Sequence, residues 1–296
     1  MLNRTTPTIR GMLWMAASGA LFTLLSATMK KLSLELDPWL VGFLRYLLGG
    51  IVMLLPALHL GVRELWPKAP KLQLARCLLH SAGMMFWFAA LPIVTLTELT
   101  AIGFSSPIFI CLGAVLFLSE RMTGARWVAI VVGFAGVLLV VNPFGAGGFS
   151  GVSRGMVLML ASVPLFAASF LVAKVLTRHE RSDIMVLWQH LLVSLVLLPF
   201  ALALWSMPSP GQWALLVACG FIGAGGHYCL TRSFRVADIS AVQSVKFLEL
   251  VWAAILGFFM FGLLPSGGSL AGGIVILVST LWLARRESRV RPGSGF

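Results

Sequence analysis

Three charged side chains stand inside long apolar stretches of the sequence. Arg45 lies in the stretch 38–60, and Lys246 and Glu249 lie in the stretch 239–262. The i,i+3 spacing of Lys246 and Glu249 places them on one face of a helix. These residue types suit recognition: Arg45 or Lys246 would bind a carboxylate, and Glu249 would bind an amine or accept a proton. The structural alternatives are that Lys246 pairs with Glu249 and that Arg45 reaches outward to lipid headgroups.

Polar residues in two further apolar stretches are weaker candidates for the same site. Gln189 and His190 are adjacent in the stretch 184–205, and Tyr228 follows His227 in the stretch 213–230. An imidazole within an apolar helix is more often a packing residue than a binding residue. The sequence leaves both interpretations open for His190 and His227, and it favours packing for His80.

Three tryptophans lie within apolar stretches rather than at their ends. Such side chains could stack on a planar solute, whereas tryptophans at stretch ends are typical of a membrane interface. The candidate residues for a substrate pathway are therefore Arg45, Lys246, Glu249, Gln189, His190, Trp14, Trp87, Trp188 and Tyr228.

The composition defines the elements that must position these residues. The chain has 296 residues, of which 59% are hydrophobic and 11% charged, and its mean hydropathy is +0.96. Soluble domains carry about 25% charged residues, so a water-soluble protein is excluded. A membrane helix needs about 20 apolar residues, and the continuous apolar runs exclude a β-barrel. The sequence predicts an all-α integral membrane protein with ten transmembrane helices, at 11–29, 38–60, 74–94, 99–118, 127–141, 155–173, 184–205, 213–230, 239–262 and 270–284.

The positive charge is distributed unevenly between the loops. If loops alternate sides, 17 of the 22 Lys and Arg residues, Arg76 among them, share one side with both chain ends, and three lie on the other. Basic loops mark the cytoplasmic side, so both termini are predicted to be cytoplasmic in a bacterial-type inner membrane. The net charge of +12 then faces anionic lipid headgroups and does not indicate nucleic acid.

An internal repeat divides the chain into two halves. Residues 11–32 align without gaps on residues 155–176, with nine of 22 positions identical. We therefore predict a first five-helix repeat at 1–142, a Gly-rich linker at 143–154, a second repeat at 155–288 and a basic cytoplasmic tail at 289–296. Because five is odd, the two copies must insert with opposite orientations. Inverted repeats are typical of secondary transporters, and the first span has a partner in the second half, which disfavours a cleaved signal peptide.

Two segments, 105–140 and 227–262, resemble the EamA-type permeases of the drug/metabolite transporter superfamily. Pro107, Glu120 and the pair Gly133 and Gly136 match the pattern of that family. The chain departs from it at Leu263, where the pattern often has Glu, so a symmetric pair of carboxylates is missing.

The resemblance implies a secondary transporter of a small polar organic metabolite. It favours export of an amino-acid derivative or opine-type metal chelator over uptake. Uptake of S-adenosylmethionine or a riboflavin-like metabolite is the alternative. The resemblance implies that the protein needs no cofactor and that its partners are a small-molecule metabolite and the lipid bilayer. It leaves open whether transport is coupled to protons and whether the protein forms a homodimer.

Two rival classes, a polytopic membrane enzyme and a non-transporting scaffold, are disfavoured. The sequence has no catalytic or nucleotide-binding motif, and its four cysteines have no metal-site spacing. A scaffold would tolerate apolar residues at Lys246 and Glu249. Outside the spans, Asp238 and Glu98 are predicted to cap helix N-termini, and Glu120 is predicted to form a surface pair with Arg121, with a gate as the alternative.

Overall fold

All regular structure in the described chain is helical. The computed structural model describes residues 6–58, 61–90, 93, 102–141, 153–261 and 267–289. A short 3-10 helix at Val62–Leu65 precedes the third α-helix. The α-helices are α1 (Pro7–Leu32), α2 (Pro38–Leu58), α3 (Pro70–Ala90), α4 (Ser106–Leu118), α5 (Gly124–Val141), α6 (Arg154–Leu176), α7 (Ser182–Ala203), α8 (Pro210–Val236), α9 (Ile239–Lys246), α10 (Leu248–Phe261) and α11 (Gly267–Arg289).

The helix boundaries follow local sequence signals. Thr6 caps α1 by accepting a hydrogen bond from the backbone N–H of Ile9, and Pro7 follows at the first helical position. Ser209 and Gln212 form a capping box at the start of α8, again with a proline next to the cap. These signals satisfy free N–H groups and pre-set the backbone, so the helices begin in polar turns outside their apolar cores.

The expected all-helical membrane fold is confirmed, and the count of ten spans remains a prediction. Six described segments are long and apolar enough to cross a membrane, and two shorter apolar helices, Ser106–Leu118 and Gly124–Val140, accompany them. The six are Pro7–Met29, Pro38–Leu55, Arg154–Leu176, Ser182–Ala203, Pro210–Val236 and Ile239–Leu256.

The third predicted span begins too late in the sequence. Helix α3 starts at Pro70, so Arg76, which the charge count assigned to the preceding loop although it falls within the predicted span, lies well inside the helix and is fully buried. Arg76 is accommodated because its guanidinium donates hydrogen bonds to the Gln189 side chain and, at 3.3 Å, to the Met185 carbonyl oxygen. Moving Arg76 out of the loop leaves the predicted charge asymmetry at 16 residues to three.

The ninth predicted span is interrupted. Helices α9 and α10 are separated by the single residue Phe247, whose ring is fully buried. This ring lies directly on Gly133 of α5, where an added Cβ atom would approach it to 2.4 Å. The glycine therefore makes room for the side chain at the interruption. Lys246 ends α9 and Glu249 begins α10, so both charges flank this break.

The helices of the two halves pair reciprocally. In chain order, α1 to α5 form the first half, and α6, α7, α8, α9 with α10, and α11 form the second. Helix α1 packs mainly on α8, and its repeat equivalent α6 packs mainly on α3. The equivalents α2 and α7 pack on each other, as do α5 and α11. Each pairing is therefore reproduced when the two halves are exchanged.

The equivalent helices run in opposite directions where they meet. Gly42 of α2 lies against Leu197 of α7, whereas Gly49, further along α2, lies against His190, which precedes Leu197. In the same way the Ser279 hydroxyl of α11 donates a hydrogen bond to the Ala129 carbonyl oxygen at 3.0 Å. When two repeat-equivalent helices pack antiparallel, the two-fold axis that exchanges the halves must be perpendicular to these helices.

The crossing of α5 and α11 gives a matched test of packing. A Cβ atom at Gly272 would lie 2.5 Å from the Gly136 carbonyl oxygen, whereas among the described residues nothing lies within 4 Å of that position at Gly273. We expect Gly272→Ala to lower the free energy of unfolding by about 1–3 kcal/mol through overpacking. Gly273→Ala should not destabilise the protein. Thermal unfolding in detergent measures both variants, and equal melting temperatures would contradict the packing.

Candidate functional site

A cavity of about 410 Å³ lies between the two halves. This volume is in the range of sites for small organic ligands. Its polar lining consists of Ser26, Arg45, Tyr46, His80, Ser106, Ser162, His227, Lys246 and Glu249. Its aromatic lining consists of Phe22, Trp87, Phe88, Phe104, Phe166 and Phe170.

Lys246 and Glu249 face this cavity without forming an ion pair. No bridge of 4 Å or less joins them among the salt bridges of the described chain. The ammonium nitrogen of Lys246 instead lies 5.2 Å from the ring centroid of Phe170, within the distance of a cation–π contact. The Glu249 side chain packs against Gly19 of α1. The structural alternative, a local pair between the two charges, is therefore not what the structure contains.

Arg45 points into the cavity and does not reach outward. Only 7% of the residue is exposed, and its guanidinium carbon lies 3.9 Å from the ring centroid of Tyr46. Its Nε and Nη1 atoms are buried and have no hydrogen-bond partner within the described ranges. A buried guanidinium with unused donors is suited to a ligand that brings acceptor atoms.

Three histidines surround Tyr46 at the cavity wall, and of these only His190 lies outside the lining. The Tyr46 hydroxyl and the His80 Nε2 atom share a hydrogen bond of 2.9 Å. The ring centroids of His190 and His227 lie 5.2 Å apart, and that of Tyr46 lies 5.1 Å from His190. All four side chains are buried, yet one nitrogen of each imidazole makes no hydrogen bond to the described residues. We refer to Tyr46, His80, His190 and His227 as the histidine cluster.

The predicted pathway residues separate into two groups. Arg45, Lys246, Glu249 and Trp87 line the cavity. The remaining five are not part of its lining. Gln189 binds Arg76, His190 lies behind Tyr46, Trp188 donates to the Leu65 carbonyl oxygen at 2.7 Å, and Trp14 and Tyr228 meet edge to face at 6.3 Å.

Sequence reasoning missed Tyr46 and undervalued His80 and His227 as lining residues. Tyr46 was not selected because the neighbouring charge of Arg45 gave the stronger signal in that apolar stretch. His80 was passed over because a lone histidine in an apolar helix is usually a packing residue. A usable signal was the number of histidines, since four of the five lie within predicted spans.

Glu120 connects the two halves at the end of the bundle where α1 begins and α11 ends, which we call the terminal end. Its carboxylate accepts hydrogen bonds from the backbone N–H groups of Ile239 and Ser240 at 2.9 and 3.0 Å, and from the Ser240 hydroxyl at 2.7 Å. The surface pair predicted for Glu120 and Arg121 left out this role, in which Glu120 caps α9 from the other half.

Asp238 does not cap α9 with its side chain. The residue stands at the N-cap position, but its carboxylate pairs with Arg126 at 3.2 Å. Arg126 also binds Glu287 of α11 at 2.9 Å. Because Glu120 occupies the free N–H groups, Asp238 is available for this pair. The other predicted cap, Glu98, lies outside the described residues. We call Glu120, Arg126, Asp238, Ser240 and Glu287 the terminal latch.

Lys174 joins α6 to the end of α8 at the same end of the bundle. Its ammonium group donates hydrogen bonds to the carbonyl oxygens of Phe234 and Ala237, at 2.7 and 2.5 Å. A cation at this position also compensates the helix dipole. A polar pocket of about 720 Å³ is lined in part by Lys174 and by the latch residues Glu120 and Asp238.

The site shows no arrangement for a metal ion in the described part of the chain. No three His, Cys, Asp or Glu side chains among those residues are placed to hold one. The four cysteines are free thiols.

An apolar helical bundle with a polar central cavity and one closed end is the structure of a membrane transporter. The model of the EamA-like transporter family matches the chain twice, at residues 9–142 and 153–285. The chain therefore belongs to the EamA-like transporter family, and the resemblance seen in the sequence is confirmed. Family membership assigns it to transporters of small molecules and not to enzymes.

The relatives that the chain matches over nearly their full length differ in their substrates. A riboflavin transporter of Rhizobium johnstonii is 33% identical, with 94% of this chain and 92% of that protein covered. An S-adenosylmethionine uptake transporter of Rickettsia prowazekii is 28% identical, with 95% and 94% covered. The pseudopaline exporter CntI of Pseudomonas aeruginosa is 26% identical, with 94% and 96% covered.

A solved crystal structure supports the fold. It superposes on the chain with a TM-score of 0.80 at 19% identity, covering 94% of this chain and 98% of the other. At this identity the likeness concerns the architecture alone.

Proposed function

We propose that the protein is a secondary transporter that moves a small polar organic metabolite across the bacterial inner membrane by alternating access between two inverted repeats. The observation that carries this proposal is the central cavity, which is lined by residues of both halves, together with the latch that joins the halves at the terminal end. An alternating-access carrier needs one central site and a closure that can form on either side of it.

The reciprocal helix pairing supports the inversion of the repeats. The antiparallel contact between the repeat equivalents α2 and α7 fits a two-fold axis that lies in the membrane plane. Because such an axis relates the two halves, they can exchange conformations, and the open end of the bundle then becomes the closed one. The loop charges support a cytoplasmic terminal end, so the latch would close the cytoplasmic side. Reporter fusions at both termini test this orientation, and activity on opposite faces would contradict it.

The relatives bear on the direction of transport. The sequence favours export, which a pseudopaline exporter among the relatives supports. The riboflavin and S-adenosylmethionine transporters support a carrier of nucleoside-like or flavin-like compounds, including uptake. Transport of one of these metabolites is therefore the second candidate function.

Metabolite profiling followed by counterflow tests the proposal. Cells and medium are compared with and without the protein, and the compound that changes is loaded into proteoliposomes. We expect the labelled compound to accumulate transiently against the same unlabelled compound inside, and riboflavin and S-adenosylmethionine are assayed in parallel. If no compound changes and neither relative's substrate shows counterflow, the proposal of transport is overturned.

A further inference from the structure

The interior of the bundle contains more positive than negative charge. Away from its two ends, the described chain holds the buried cations Arg45 and Arg76, and it holds Lys246 and the carboxylate Glu249 half-buried at the cavity. Lys246 and Glu249 contribute one charge of each sign to the cavity, although they form no ion pair. Arg76 lies outside the cavity lining, and its two terminal nitrogens donate to Gln189 and Met185, whereas its Nε has no partner among the described residues. Arg45 is left as the uncompensated charge of the cavity.

An uncompensated charge in a membrane interior is expensive, so such residues pair or contact a ligand. The ring of Tyr46 provides Arg45 with a weak cation–π contact on one side. It does not satisfy the buried Nε and Nη1 donors, for which the described residues offer no acceptor. A guanidinium with free N–H donors is suited to bind the oxygen atoms of a carboxylate or phosphate.

The cavity lining next to Arg45 contains both phenyl rings and imidazoles. Phe22 lies edge to face on His227 at 4.9 Å, and Phe166 lies on His80 at 5.2 Å. The Nδ1 atoms of His80 and His227 are buried and unpartnered. These rings offer stacking surfaces for a flat solute, and the imidazoles offer hydrogen bonds to its edge.

We propose that the cavity binds a flat aromatic solute that carries one anionic group, with the anionic group at Arg45 and the ring against the aromatic lining. The proposal rests on the proposed transport function and names the substrate class of that cavity. A solute without an anionic group would leave the buried Arg45 donors without an acceptor.

Three probes of similar size test separately the need for the anionic group and the need for the flat ring. Indole-3-acetate has a flat ring and a carboxylate, indole-3-acetamide has the ring without the charge, and cyclohexylacetate has the charge without a flat ring. Isothermal titration calorimetry on the purified full-length protein in detergent measures their affinities. We expect indole-3-acetate to bind at least about tenfold more tightly than either of the others.

Two substitutions at Arg45 locate the anion contact. Arg45→Gln should bind the acid and the amide with equal affinity, whereas Arg45→Lys should keep part of the preference because it keeps the charge. The matched control is Arg232→Gln, since Arg232 lies outside the cavity lining and contacts Trp14. Size-exclusion profiles and melting temperatures establish that each variant is folded.

The outcomes distinguish this proposal from the proposed transport function. Equal binding of acid and amide to the unaltered protein, a preference that persists in Arg45→Gln, or no binding of any probe would overturn the substrate class. Counterflow of a neutral or cationic compound alongside these results would leave transport standing. Absence of counterflow for every compound would overturn transport, even if indole-3-acetate binds.

Discussion

Proteoliposomes containing Glu249→Gln or Lys246→Met are expected to lose counterflow by about a hundredfold. Both side chains line the central cavity, and neither forms an ion pair there that would explain its presence as a structural element. Loss of a charged contact in a desolvated site costs about 3 kcal/mol, which corresponds to a hundredfold change. Initial rates of counterflow with the compound found by metabolite profiling provide the measurement.

The same variants should retain their stability. Replacing a buried charge that has no ionic partner by an uncharged residue is neutral or stabilising. The matched control is Glu64→Gln, which removes a carboxylate from an exposed pair with Lys68. It should transport at the normal rate. Normal counterflow in Lys246→Met and Glu249→Gln would instead support the scaffold alternative, which requires neither charge.

Lys246 and Glu249 could be predicted from the sequence because the pattern that marks them requires no knowledge of the fold. A charge within an apolar run of about 20 residues is visible without knowledge of any neighbour, and its cost in a membrane makes it a candidate. Arg45 was found in the same way. The all-helical fold and the repeat were also predictable, since both depend on apolar runs and on identities within the chain.

The histidine cluster could not be predicted in this way. Tyr46, His80 and His227 come from three different helices, and their contact depends on which face each helix turns inward. A soluble helix reveals its inner face through its polar outer face, whereas a membrane helix is apolar all round. The sequence therefore showed the histidines but not their convergence.

The partners of Glu120 were missed for a related reason. The residue stands next to Arg121 in the sequence, which suggested a local surface pair, but it accepts hydrogen bonds from residues 119 and 120 positions further along the chain. Arg76 was misplaced because its polar neighbours Lys71 and Gln73 resembled a loop. Within the fold, Gln73 donates to the Met185 carbonyl oxygen at 2.9 Å. Both cases needed contacts between the two halves.

Glu120→Ala is expected to accelerate amide hydrogen exchange in α9 by at least about tenfold. The Glu120 carboxylate accepts two backbone N–H bonds and a hydroxyl bond at the N-terminus of this helix. Hydrogen bonds to a charged group contribute about 1.5–3 kcal/mol, so their loss should raise the population of the open latch by ten- to a hundredfold. Mass spectrometry of peptides covering Ile239–Lys246 measures the exchange.

The matched control for this experiment is Glu35→Ala. Glu35 accepts a hydrogen bond of 2.7 Å from the Gln212 side chain, which begins α8 at the other end of the bundle. Its removal should leave exchange in α9 unchanged, and unchanged exchange in Glu120→Ala would show that the latch does not depend on this carboxylate. The sequence has Leu263 where the family pattern often has the second acid. Because the Glu120 carboxylate joins the two halves at the terminal end, Glu120→Ala should also slow counterflow by shifting the balance between the closed and open states of that end.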